Sequence, residues 1–244
     1  MDKAIETWGL TKKFSPKNVA VKNVYLRVSH GEALGIFGPP GSGKTTLLKI
    51  LMGLQSPSSG GGFCLGYDLV TESMQIRENV GYVANEASLY DHLTIREMIK
   101  FSRNFYSHWN DELVPRYLEF SNLPTRIKIK KMTPEQKSLL ALILALAPEP
   151  QLLLLDEPTL FFSDPAYRQT FEEIVNLEMI SQGRTVVIAS RLLDEIKELT
   201  EETVLIYKGK ILTRLEVDRL LEDELPSDAE EICRMFVEEE KNDS

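Results

Sequence analysis

The octapeptide GPPGSGKT at 38–45 constrains this chain more than any other stretch. It fits G-x-x-x-x-G-K-[ST], and its flanks supply the setting that pattern needs. The apolar run EALGIFG (32–38) reads as a strand before it. Leu47, Leu48, Ile50, Leu51 and Leu54 have helical spacing after it. The composition has a physical reason. Gly38 ends the strand, and Gly41 and Gly43 let the backbone curl until successive N–H groups point at phosphate oxygens. Pro39 and Pro40 carry no N–H, so the cradle runs from Gly41 onward through Ser42 to Thr46. The helix that follows aims its positive end at the same anion. Lys44 brings a point charge to the outer phosphates, and Thr45 offers a hydroxyl to Mg²⁺. A glycine-rich turn ending by chance in Gly-Lys-Thr is the bland alternative, and strand, loop and helix together argue against it.

A second run, LLLLDEP at 152–158, matches the first in kind. Four leucines make a buried strand that delivers two acids at its end. Asp156 is placed to hold Mg²⁺ through a water, and Glu157 to orient or deprotonate an attacking water. ATP with Mg²⁺ is the expected ligand.

Around these motifs strands and helices alternate. The strands are interrupted between about 85 and 150 by helical segments, among them one opened by the capping box Thr94/Glu97 and one opened by TPEQ. The expected fold is an α/β P-loop NTPase: a mostly parallel central sheet, an antiparallel β portion and a helical insertion. Residues 1–215 form the nucleotide domain, and 216–244 an acidic extension read as a solvated tail. SPSSGGG (56–62) reads as a turn.

Bulk properties exclude other classes. A net charge of −9 does not suit broad neutralisation of nucleic-acid phosphates, and the basic RIKIKK (126–131) reads as a solvated face. Cys64 and Cys233 have no His cluster beside them, so neither a zinc site nor a disulfide framework is expected. MDKAIETWGL lacks an apolar signal-peptide core. The longest apolar run, LLALILALA at 139–147, falls far short of the roughly 20 residues of a membrane span.

With those residues in place, positions 3–215 resemble an ATP-binding subunit of an ABC transporter, and FSRNFYSHWNDEL (101–113) resembles bacterial ABC-2-type exporter subunits in particular. The resemblance implies a two-lobed domain that dimerises head to tail. ATP then lies between one subunit's glycine loop and the other's signature loop, beneath a membrane permease at the inner face of the cell membrane. It places Phe14 of LTKKF where an aromatic ring stacks on adenine. It implies that the groove beside NEASLYDHL (85–93) receives a permease helix, with Leu89, Tyr90 and Leu93 as gripping residues unless they pack internally.

Four segments depart from the family's pattern. Asn85 stands at the Q-loop glutamine, one methylene shorter, and is kept as a candidate near the metal. MTPEQ aligns with the signature LSGGQ. Thr133 and Gln136 keep hydroxyl and amide, whereas Pro134 and Glu135 replace both glycines. Thr-Pro-Glu-Gln is also a good helix start in its own right. A carboxylate about 4 Å from one phosphate charge is repelled by roughly 4 kcal/mol at an effective dielectric near 20, less if Glu135 turns into water. Arg191 stands at the switch histidine, as a phosphate contact or an exposed arginine. EPTLFFSDP has one residue more than usual before Asp164, the D-loop aspartate, and Phe161 and Phe162 read there as interface residues in preference to core.

The departures sit where a dimer would close on ATP, while Lys44, Thr45, Asp156 and Glu157 are kept. The favoured expectation is a degenerate subunit that binds ATP, hydrolyses it slowly and pairs with a more orthodox ATP-binding subunit. An active homodimer is the enzyme alternative, because Glu157 is present. A soluble nucleotide-dependent regulator without a permease is the third.

Overall fold

The computed structural model describes residues 3–86, 89–221 and 228–242. The chain begins antiparallel. β1 (Lys3–Ser15) turns at Pro16 and Lys17 into β2 (Asn18–Val24), and β3 (Arg27–Ser29) pairs back on β1. β4 (Ala33–Phe37) delivers the glycine loop to α1 (Lys44–Leu51). β5 (Ser59–Cys64) and β6 (Tyr67–Asp68) complete the first sheet in the order β2-β1-β5-β6, with β3 beside β1. α2 (Ser73–Asn79) leads to β7 (Val80–Val83), and then come three helices, α3 (Ile95–Arg103), α4 (Leu113–Phe120) and α5 (Pro134–Leu146). Alternation resumes with β8 (Leu152–Asp156), α6 (Pro165–Glu178), β9 (Thr185–Ser190) and α7 (Leu193–Lys197). β10 (Glu202–Tyr207), β11 (Lys210–Glu216), α8 (Asp218–Leu221) and α9 (Ala229–Asn242) finish the described chain.

The second sheet runs β11-β10-β4-β9-β8-β7, parallel throughout except for the β10–β11 hairpin. Lys208 and Gly209 both have positive φ at its turn, as a tight hairpin requires. The apolar strands follow from burial on both faces. Side chains alternate along β8, so Leu152 and Leu154 join the cluster with α1 and the antiparallel sheet. Leu153 and Leu155 join the opposite one with α5 and α6. Each such leucine stabilises the fold by about 1.5–3 kcal/mol. The inserted helices share that second cluster through Ile95, Leu113, Tyr117 and Ile129. No described helix is long and apolar enough to cross a membrane.

Parallel register fixes the location of the chemistry. Phe37 lies opposite Ser190, and Asp156 opposite Ala189. Gly38, Glu157 and Arg191 therefore leave the sheet side by side at its C-terminal edge.

Two expectations are corrected. Residues 59–62 of the turn-rich segment are strand, paired with β1. The glycines serve close approach there, since a Cβ at Gly62 would press on the Glu6 carbonyl and one at Gly61 on the Trp8 ring. The acidic extension is not a solvated tail. Ala229 and Ile232 are buried in the second cluster with Leu215, Val217 and Leu220, Cys233 is buried too, and Tyr207 donates to Glu230 at 2.7 Å. An acidic composition hid an apolar stripe of helical spacing. Residues 243–244 of the expected frayed end lie outside the described residues.

Candidate functional site

A half-open cavity of about 290 Å³ lies over the glycine loop. Gly41–Thr46 form its floor, Glu157 one wall, and Phe14, Asn18 and Ala20 the rim. Phe14 is half exposed, with the Lys12 ammonium 5.4 Å from its ring centroid. Gly38 hydrogen-bonds through its N–H to the Ser190 carbonyl rather than lining the cavity. Its lack of a side chain is still required, since a Cβ would overlap the Ile206 carbonyl. Asn18 and Ala20 escaped the sequence reading because β2 carries no motif.

Lys44 is almost wholly buried. Its ammonium donates to the carbonyls of Gly38 (2.6 Å) and Pro39 (3.0 Å) and lies 3.2 Å from Glu157 Oε1. Burial pulls its pKa down, against the Glu157 and Asp156 carboxylates, which favour the charged form. Two buried polar atoms here have no hydrogen-bond partner, Ser42 Oγ and Glu157 Oε2. Unpartnered groups of this kind in an open cavity suit a polar ligand.

Asp156 is buried and accepts from the Thr45 hydroxyl and the Tyr82 phenol, each at 3.0 Å. Burial raises the pKa of Asp156, with both donors opposing it, and burial beside this acid also raises that of Tyr82. Thr45 and Asp156 together present oxygen donors of the kind Mg²⁺ takes. Tyr82 was missed by the sequence reading; its signal was the polar tip at the third position of the VGYV strand. Glu157 has φ +48°, in the left-handed region that non-glycine residues rarely enter, and its N–H donates to Ala189 O at 2.8 Å. The Arg191 side chain is 41% exposed, and its Nε lies 3.7 Å from Glu157 Oε2. It is thus an exposed arginine paired at its base with the carboxylate of the site.

The remaining expected residues lie elsewhere. Asn85 lines a separate cavity of about 380 Å³ with Pro134, Ser138, Pro158 and Phe162, and its buried Oδ1 has no partner. No hydrogen bond among the described residues joins it to Thr45 or Asp156. Thr133 and Gln136 form the expected capping box on α5, with Pro134 at its first turn. Glu135 does not turn into water. It is buried and accepts from the Ser163 N–H (3.1 Å) and hydroxyl (2.8 Å), which ties the start of α5 to the 159–164 loop. Asp164 caps α6 by accepting from Ala166 N at 2.9 Å. Phe161 is half exposed, but Phe162 packs edge-on to Phe171 in the core, which corrects the interface reading for that residue. Leu89 and Leu93 also pack partly on the core, whereas Tyr90 stays half exposed; Ala87 and Ser88 lie outside the described residues.

Glu135 carries a pH dependence. Burial favours its neutral form most strongly of any one influence. The donors from its own backbone, Ser163 and Thr133 together outweigh that and hold its pKa at about 2. The folded value lies below the ordinary 4.5, so the stabilisation is complete above about pH 4.5 and is lost as pH falls toward 2. Glu135→Gln is expected to be less stable than the unaltered chain by about 1 kcal/mol at neutral pH, with the gap closing below pH ~4.5 in urea titrations. A gap independent of pH would refute this.

Comparison with known proteins agrees with the geometry. The ABC transporter family profile matches residues 21–160. The chain is 33% identical over 205 residues to the uncharacterized ABC transporter ATP-binding protein YdbJ of Bacillus subtilis, an alignment covering 83% of this chain and 66% of YdbJ. It is 35% identical over 213 residues to the probable multidrug ABC transporter ATP-binding protein YbhF of Escherichia coli, covering 85% of this chain and 36% of YbhF. It thus spans about two thirds of the first relative's length and about a third of the second's. Among solved structures, the dimeric ATP-binding cassette MJ0796 in a post-hydrolysis state, bound to ADP and Pi, superposes with a TM-score of 0.78. That match is at 23% identity, over 87% of this chain and 98% of that one.

Proposed function

Since this chain belongs to the ABC transporter family of ATP-binding proteins, we propose that it is a degenerate subunit of such a transporter. It binds Mg-ATP, hydrolyses it slowly by itself and works with a second, more orthodox ATP-binding subunit beneath a permease at the inner membrane face. Residues 1–215 are the ATP-binding domain, with the helical insertion near 85–150, and 216–244 an extension. Phe14 would meet adenine and residues 41–46 the phosphates, with Thr45 and Asp156 holding Mg²⁺. The metal supplies charge neutralisation at the phosphates.

One contrast carries the reading. Lys44, Thr45 and Glu157 line one cavity with Asp156 bonded to Thr45 behind it, whereas Asn85 lines another and Glu135 is bonded to the 159–164 loop. The groups of the glycine loop and the end of β8 are kept, and the positions that would close a dimer on the nucleotide are altered. In a homodimer both sites would carry every alteration. In a heterodimer they divide, Asn85 and Arg191 falling in one site and MTPEQ in the other. The active-homodimer reading is favoured by Glu157, whose Oε2 has no hydrogen-bond partner and could accept from a water.

Steady-state phosphate release by the purified chain and by Glu157→Gln separates the two. Rates that are equal and close to background support the degenerate subunit. A rate that falls by about a hundredfold in the Gln variant, as loss of a general base would cause, supports the active homodimer instead.

A further inference from the structure

We propose that Glu195 is a positioning residue of the nucleotide site: one buried carboxylate that holds together the two loop tips carrying Glu157 and Arg191. The inference rests on the reading of this cavity as the Mg-ATP site.

β8 and β9 run in register to Asp156 and Ala189, and the Glu157 N–H to Ala189 carbonyl bond is the next link between the two chain segments. Beyond it they separate into loops. Glu195, on α7, continues the connection with its side chain. Oε1 accepts from the Thr159 N–H at 3.0 Å and from the Thr159 hydroxyl, and Oε2 accepts from the Ser190 hydroxyl. Thr159 is two residues past Glu157, and Ser190 immediately precedes Arg191. The carboxylate is 2% exposed, and all three donors to it are neutral. Arg168 acts on this acid through its charge, but the groups that hydrogen-bond it are an N–H and two hydroxyls, which fix geometry.

The geometry needs such a tie. Glu157 sits at φ +48°, and a strained residue keeps that conformation only where its surroundings over-determine it. Without the Thr159 link, the segment after Glu157 is free to relax and carry Oε1 away from Lys44. Without the Ser190 link, the base of Arg191 is free to turn. Ser190 Oγ donates to Glu195 and also accepts from Leu192 N at 2.9 Å. A glutamine at 195 keeps the shape but loses the charge and turns the Ser190 proton away from the contact, which weakens that link.

The test measures Kd for Mg-ATP and Mg-ADP by displacement of a fluorescent nucleotide from the full chain. The variants are Glu195→Gln, Ser190→Ala, their double variant and, as a neighbouring core control, Ile196→Val. Urea midpoints are recorded for each. Glu157 and Arg191 border the place of the terminal phosphate. Glu195→Gln is therefore expected to lower the preference for Mg-ATP over Mg-ADP by about tenfold with Mg-ADP binding little changed. The double variant is expected to be no worse than the stronger single one, because both cut one link. Ile196→Val is expected to lower stability and leave the preference intact. A preference unchanged in both Glu195→Gln and Ser190→Ala, or lowered equally by Ile196→Val, overturns the positioning role alone. An unaltered chain that binds no Mg-ATP overturns the parent reading and this inference with it, and one that binds Mg-ATP and Mg-ADP alike overturns this inference alone. Should Glu195→Gln fail to fold, Ser190→Ala decides the matter by the same preference.

Discussion

A Lys44→Ala variant is expected to bind Mg-ATP about a hundredfold more weakly than the unaltered chain, or worse. The ammonium is only 4% exposed and is held at the mouth of the glycine loop by two carbonyls and Glu157. Its desolvation cost is already met in the folded state, so an incoming phosphate finds a cation in place. Hydrogen bonds to charged groups contribute about 1.5–3 kcal/mol each, and losing even one or two is worth roughly a hundredfold in Kd. The free protein suffers as well, since the variant leaves the buried Glu157 with only the more distant Arg191 nearby, and removing one member of such a pair is costly. Lys44→Arg is not expected to rescue binding, because a planar fork does not fit a slot shaped for three convergent acceptors. Titration with a fluorescent ATP analogue checks this, and an affinity within about threefold of the unaltered chain would refute it.

Gly43→Ala is expected to destabilise the fold by at least about 3 kcal/mol, which for a chain of this length lowers Tm by roughly 10 °C. Two costs coincide there. Gly43 has φ +109°, outside the range of other residues, and a Cβ would overlap the Ala20 carbonyl oxygen and touch Gly209. Neither neighbour can yield: the Gly209 N–H donates to the Ser42 carbonyl and its carbonyl accepts from Lys22 N, which pins the β10–β11 turn against the loop. Gly41→Ala is the internal comparison. Its φ is also positive, at +76°, but its Cβ would meet nothing within 4 Å, so only the conformational cost of about 1 kcal/mol applies. Calorimetry of the two variants should therefore show unequal losses. Equal losses would mean that backbone strain alone, without the Ala20 overlap, accounts for both.

Family and fold were legible because the determinants are local. A loop with glycines at two set positions, a lysine and a threonine can be read without knowing what surrounds it, since its chemistry resides in its own backbone. LLLLD could be read as a doubly buried strand because its apolar run is short, ends in acids and is followed by proline. The TPEQ helix start was equally local, the cap and its partner lying three residues apart. By contrast, the solvated-tail reading failed because α9 is acidic in composition, and only its position against β10 shows that Ala229, Ile232 and Cys233 form a buried stripe.

What the amino-acid order determined by itself is the nucleotide loop, the alternation of strands and helices and the pair of acids at the end of β8. Only the tertiary structure decided which side chains surround them. Tyr82 meets Asp156 across 74 residues, Thr45 meets it across 111, and Glu195 reaches Thr159 across 36. It also turned Glu135 inward to Ser163 and assigned Asn85 to a different cavity. The division has one physical cause. Backbone curvature and hydrophobic period act over a few residues and are written in order. The direction of a buried polar side chain is instead set by whichever donors the packed sheet brings within about 3 Å, and those come from anywhere in the chain.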